Sequence, residues 1–117
     1  MSRDYNLYLQ DIFECCKNAV SYTDGMTFAE FSDDQKTIDA VVRNLEIIGE
    51  AVKNVPTETL QTKPEIKWKQ IAGFRDIIIH QYFKVDLEIV WDVVQNRLPE
   101  LKTAVSEMLI EISKQEE

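Results

Sequence analysis

Apolar residues recur every three or four positions along three stretches of the chain, the period of helices that bury one face. The first stripe runs through Tyr5, Tyr8, Leu9, Ile12, Cys15 or Cys16, Ala19 and Tyr22, and should end near "TDGM", where Gly25 can act as a stop. Ser32 followed three residues later by Gln35 reads as a capping box, in which each side chain satisfies a free backbone N–H at a helix start. The second stripe then passes through Ile38, Val41, Val42, Leu45, Ile48, Gly49 and Val52 and stops before Pro56, which cannot continue a helix. Gly49 inside that run costs about 1 kcal/mol relative to alanine, a penalty that a close helix crossing would offset. Asp86 is a good N-cap for the third. Leu87, Trp91, Val94, Leu98, Leu101, Val105, Met108 and Ile112 follow at alternating steps of four and three, the spacing of a helix packed along another helix. Pro99 should kink this helix or split it.

The segment between the second and third stripes is less regular. "PTETLQTKPEIKWKQIAG", Pro56 to Gly73, has room for one or two helical turns, with Trp68 and Ile71 as anchors to the core. Phe74 to Tyr82 is apolar enough for a short buried helix; its three isoleucines also suit a strand, but no partner strand appears elsewhere. The sum is an all-α, up-and-down bundle of four to five helices, the last kinked or split near Pro99, in one domain over residues 1–117.

Composition agrees with this picture. Three glycines and three prolines in 117 residues leave little material for tight turns, and 44% apolar with 29% charged residues is ordinary for a soluble protein. No run approaches the roughly 20 apolar residues of a membrane span. The N-terminal residues are interrupted too often by polar ones for a signal-peptide core, so a cytoplasmic protein without membrane contact is expected. Cys15 and Cys16 are adjacent, about 3.8 Å apart at Cα and below the disulfide range, and read as free structural thiols.

The net charge of −8 argues against a general nucleic-acid coat. The charge is uneven, however. Residues 61–85 hold Lys63, Lys67, Lys69, Arg75 and Lys84 against Glu65 and Asp76. This least acidic region permits local contact with a phosphate while the remainder repels non-specific binding.

Within that region "FRDIIIHQYF" carries the chain's one histidine. Histidine exchanges protons near neutral pH, with an unperturbed pKa of about 6.5. Arginine is always charged, and its planar fork matches phosphate oxygens. Together, Arg75 and His80 suit cleavage of RNA by its own 2′-hydroxyl: the histidine moves protons and the arginine stabilises charge on the phosphate, with no metal or other cofactor required. On a regular helix Arg75 and His80 lie about 140° apart. Asp76 and His80, by contrast, are an i,i+4 pair, so the Asp76 carboxylate could orient the imidazole. Arg75 and His80 then reach one phosphate only through the arginine's length, a non-ideal first turn after Gly73, or the His80 of a second chain. A symmetric homodimer would place two copies of each about one cleft and supply both a general base and a general acid. The plainer reading is a core histidine hydrogen-bonded by Asp76, with Arg75 in a surface ion pair.

"WKQIAGFRDIIIHQYFKVDLEIVWDVV", Trp68 to Val94, followed by "LPEL", resembles the HepT-like toxins of the HEPN superfamily, whose signature is Arg-x4-His-x-Tyr. "RNLEIIGEAVKNVP", Arg43 to Pro56, is similar to that family's second helix, and with the first helix the likeness covers nearly the whole chain. The resemblance implies a dimerising helical bundle, metal-independent endoribonuclease activity on an RNA such as tRNA or mRNA, and a minimal nucleotidyltransferase as antitoxin. It further implies that Arg75 and His80 are catalytic, that Asp76 supports them, and that Tyr82 receives AMP from the antitoxin. A competing expectation from the acidic surface and heptad-like last helix is a non-catalytic helical subunit that docks to a nucleotidyltransferase.

Overall fold

The computed structural model describes residues 5–80 and 84–115. Its elements in chain order are α1 (Tyr5–Thr23), α2 (Phe28–Ser32), α3 (Gln35–Val52), α4 (Thr57–Leu60), α5 (Trp68–Ala72), α6 (Phe74–Ile78), the short strands β1 (Ile79–His80) and β2 (Lys84–Val85), α7 (Leu87–Asp92), a π-helical turn (Val93–Arg97) and α8 (Leu98–Gln115). The architecture is a helical bundle in which α1 packs against both α3 and α8. Tyr5 and Ile112 line one cleft between α1 and α8, and Val20 and Pro99 line another, so these two helices run antiparallel. No described helix is long and apolar enough to cross a membrane.

The core follows the predicted stripes closely. Leu9, Ile12, Cys16 and Ala19 of α1 meet Val41, Leu45 and Ile48 of α3, and Leu98, Leu101, Val105 and Met108 of α8, all buried. Tyr22, placed in the first stripe by its spacing, is instead 45% exposed. Thr23 takes the buried position, because its hydroxyl can donate to the Ala19 and Val20 carbonyls at 3.3 and 3.2 Å. Gly25 does follow the helix end, with a φ of 79° that favours glycine.

The capping box lies elsewhere than the sequence suggested. Thr27 and Glu30 form it, starting the additional helix α2, while Ser32 sits inside α2 and donates to the Phe28 carbonyl. Asp34 caps α3, its carboxylate accepting the Thr37 N–H at 3.0 Å. That bond holds the Asp34 carboxyl below its ordinary value. What α2 adds to the core is Phe31, which is fully buried and packs against Trp91 of α7 with ring centroids 5.3 Å apart and the planes tilted by 38°. With α2, α4, α5 and α6 each only four or five residues long, the described residues hold more helical segments than the four to five expected.

The last helix changes type where Pro99 predicts trouble. The Leu98 N–H reaches back to the Val93 carbonyl, a π-type bond, and the helix continues without a break into α8 at Leu98, so the widened turn lies directly before Pro99, where the regular hydrogen-bond ladder loses a donor.

Cys15 and Cys16 are free and buried, as their adjacency implied. Burial pushes the Cys16 thiol up to about 12, with its neighbour Cys15 adding to the rise and Lys102 opposing it. Cys15 is raised for the same first reason, then by Asp11 and Glu14. Because the thiolate is the nucleophile, neither cysteine of the native protein should react appreciably with iodoacetamide at pH 8, and both should after denaturation. Intact mass before and after unfolding reads this directly. The raised pKa also means that folding retains the Cys16 proton while the unfolded chain loses it above the ordinary value of 9.0. The stability contributed is therefore lost as pH rises from there toward 12.

Candidate active site

The segment carrying the candidate residues is held in place from behind. Gly49 of α3 lies against α5: a Cβ there would come within 3.1 Å of the Ile71 carbonyl oxygen and 3.4 Å of that of Ala72. This is the close crossing that offsets a glycine in mid-helix. Ile71 is buried as expected, and the Trp68 indole N–H donates to the Lys63 carbonyl at 3.0 Å. Ile66, also buried, is an anchor that its irregular surroundings concealed. Lys63 in turn pairs with Glu107 of α8, tying the loop before α5 to the bundle. A larger residue at Gly49 has only backbone to push against, so Gly49→Val should lower stability by about 1–3 kcal/mol. Gly49→Ala should fall much closer to wild type, since its gain in helix propensity, about 1 kcal/mol, opposes the crowding. Thermal unfolding of the two variants checks the order, and a Gly49→Val protein as stable as the wild type would show that the crossing is not tight.

Gly73 ends α5 and α6 begins at once, the Asp76 and Ile77 N–H groups donating to the Gly73 carbonyl at 3.0 and 3.2 Å. Five residues cannot hold a helix by themselves. Phe74 and Ile78, four apart on one face, are 3% and 0% exposed. Each such burial contributes about 1.5–3 kcal/mol. With that face committed, Arg75 and Asp76 project outward and are exposed. The Arg75 guanidinium makes no ion pair among the described residues, so the reading of Arg75 as a surface ion pair does not hold there.

The helix stops sooner than the apolar run suggests. Phe74 to Tyr82 was expected to be one helix, but the chain turns extended after Ile78, and Ile79 and His80 pair antiparallel with Val85 and Lys84. The partner strand absent from the hydrophobic pattern is thus the two-residue stretch Lys84–Val85. The Asp86 N–H donates to the Ile78 carbonyl at 2.7 Å, satisfying an acceptor that the helix end leaves free. The Asp86 carboxylate accepts the Ile89 N–H at 3.2 Å and starts α7. Asp86 therefore closes the paired segment with its backbone and caps the next helix with its side chain. Its capping role was legible in sequence, whereas its backbone role was not.

Two geometric expectations change as a result. Asp76 and His80 are not an i,i+4 pair on one helix, because only Asp76 is helical. The separation of about 140° between Arg75 and His80 on a regular helix does not apply either. The backbone of His80 lies in β1, while its side chain, and all of Tyr82, fall outside the described residues.

Arg75 is thus exposed in the first turn of a short helix, and two residues beyond that helix's end the backbone of His80 lies in a paired extended segment, all borne by a helical bundle. The family model described as "Ribonuclease HepT-like" matches residues 12–108, and the chain belongs to this family. A protein of Methanocaldococcus jannaschii named "Putative RNase" is 42% identical over 115 residues, spanning 98% of this chain and 95% of its own. One of Thermococcus cleftensis named "Probable ribonuclease HepT" is 43% identical over 102 residues, 87% of this chain and 93% of its own. Another "Putative RNase", from Caldanaerobacter subterraneus, is 42% identical over 102 residues, 87% of this chain and 91% of its own. No solved structure matches the chain.

Proposed function

We propose that this protein is a metal-independent endoribonuclease acting as a homodimer, and the toxin of a toxin-antitoxin pair whose antitoxin is a minimal nucleotidyltransferase. The observation that carries the reading is the outward Arg75 on α6, without an ion pair among the described residues and five residues before the family's motif histidine. The ribonuclease names of the relatives and the family match support the same chemistry.

In the proposed reaction one His80 imidazole removes the proton of a ribose 2′-hydroxyl. The 2′-oxygen attacks the adjacent phosphorus, the bond from phosphorus to the 5′-oxygen breaks, and the second His80 of the dimer protonates that leaving oxygen. The products are a 2′,3′-cyclic phosphate and a 5′-hydroxyl. Arg75 holds the negative charge that grows on the phosphate oxygens. Asp76, exposed one residue on, orients neighbouring groups in the cleft. With α6 ending at Ile78, the second chain is needed to supply the second imidazole rather than to overcome a helical angle. Lys67 and Lys69 of the same region are exposed with Arg75 and give an acidic protein a local phosphate contact.

The test is incubation of the purified protein with tRNA and mRNA in excess chelator. Cleavage leaving cyclic phosphate ends supports the reading. Intact RNA throughout, or cleavage that vanishes with the chelator, rejects it.

A further inference from the structure

The two short strands fix a relation that spacing along the chain does not. Ile79 pairs with Val85 and His80 with Lys84, and the Asp86 N–H, donating to the Ile78 carbonyl at 2.7 Å, continues the same register one step outward. Directly opposed residues of an antiparallel pair share one face of the ribbon, with Cα atoms about 4.5–5.5 Å apart, and successive residues alternate between faces. The ribbon therefore has an apolar face at positions 79 and 85 and a second face at positions 80 and 84. Val85 is half-buried and packs against the hydrophobic core, so the apolar face is the one turned to the bundle. Ile78, though buried, is the last residue of α6 and stands outside this alternation. A slip of one residue would exchange the faces and take Val85 off the core, which specifies the register.

We infer that Lys84 is a further catalytic residue of the proposed ribonuclease site, its ammonium group binding the phosphate on which His80 acts. The inference rests on the ribonuclease reading for the substrate and on the strand register for the residue. The pattern Arg-x4-His-x-Tyr does not include position 84, and sequence alone ranks Lys84 with the other lysines of residues 61–85. Register separates it from them. Lys84 is the cation opposed to the chain's one histidine, whereas Lys63 is paired with Glu107, and Lys67 and Lys69 belong to the start of α5. Attack by the 2′-oxygen adds negative charge to the non-bridging phosphate oxygens, and an ammonium group is a compact charge whose donors can turn to meet it. Lys84 keeps its proton throughout, since His80 moves the protons. In a protein of net charge −8, a cation on the same face as the base also offsets the repulsion of a polyanion at the point of attack.

The single histidine makes the test direct. In untagged protein the imidazole signals of an NMR spectrum belong to His80 alone, and their movement on titration with inorganic phosphate reads binding at the ribbon without any need for RNA cleavage. Wild type is compared with Lys84→Met, which removes the charge and keeps a long side chain, with Lys84→Arg, which keeps the charge, and with Lys114→Met, which removes an equal charge from the exposed last turn of α8. The expected result is saturable movement in wild type and an affinity about tenfold weaker in Lys84→Met, the loss of one charge-assisted hydrogen bond. Lys84→Arg and Lys114→Met should stay close to wild type. Cleavage at saturating RNA should also fall about tenfold or more in Lys84→Met, because a contact made to the transition state appears in kcat. Imidazole signals that phosphate does not move, equal affinity in wild type and Lys84→Met, or an equal loss in Lys84→Met and Lys114→Met would overturn the inference. So would lost binding in Lys84→Met and Lys84→Arg alike, accompanied in both by a lower unfolding midpoint. Phosphate binding that depends on Lys84 in a protein that leaves RNA intact would sustain the site and reject the nuclease reading. Cleavage undiminished in Lys84→Met would do the reverse, so the two fail separately.

Discussion

Alanine at His80 is expected to abolish RNA cleavage while leaving a folded protein. Proton transfer by a positioned side chain contributes about a hundred- to ten-thousand-fold in rate. The chain has one histidine, so no neighbour of the same kind can replace it. If His80 serves as both base and acid across a dimer, one substitution removes both roles and the loss should lie at the upper end of that range. Folding should be spared, because the pairing of His80 with Lys84 is made by the backbone, which an alanine retains. The measurement is cleavage rate beside a thermal melt. An unchanged rate in a folded His80→Ala protein would refute the assignment. Arg75→Lys refines the result: lysine keeps the charge but not the two-pronged geometry, so an arginine that only attracts RNA tolerates the change, whereas one that grips the reacting phosphate does not.

The second large effect concerns neutralisation. Co-expressed with a minimal nucleotidyltransferase of the kind proposed as its antitoxin, the wild-type chain is expected to gain the mass of AMP and lose ribonuclease activity. The Tyr82→Phe chain should gain nothing and remain active. In the proposed transfer, the Tyr82 phenol would lose its proton to a base or to solvent as its oxygen attacks the α-phosphorus of ATP; the new oxygen–phosphorus bond forms and pyrophosphate departs with the electron pair of the broken bond. The product places a phosphate and a bulky nucleoside two residues from His80. The added negative charge and bulk would repel and obstruct incoming RNA. Intact mass and the cleavage assay on the same samples keep chemistry and inhibition apart. AMP addition that persists in Tyr82→Phe moves the modified residue elsewhere, and inhibition of wild type without any added mass points to neutralisation by binding alone.

The two effects draw on residues whose types and spacing are legible in sequence, yet the geometry around them is only partly so. The long stripes of α1, α3 and α8 were readable because each is set by period and burial over many turns, and small errors such as Tyr22 for Thr23 do not move the helix. Short elements were less readable. Ser32 and Gln35 satisfy the formal pattern of a capping box as well as Thr27 and Glu30 do, and what favours Thr27 is α2, whose Phe31 packs on the distant Trp91. The run of isoleucines after Arg75 suited a helix and a strand alike. Its division at Ile78 depends on the Asp86 N–H and on the Lys84–Val85 segment, contacts that no local preference specifies.

The sequence by itself determined three amphipathic helices, a cap at Asp86, an interruption near Pro99, and the order arginine, histidine, tyrosine in the least acidic part of the chain. These follow from side-chain chemistry and from periodicity, which are local. Tertiary structure alone decided that α6 ends before His80, that Gly49 admits α5 against α3, and that Phe74 and Ile77 share a pocket with Val93 and Arg97. Each of these rests on which backbone groups and apolar faces meet across the fold, and that is settled only when every helix competes at once for the same core.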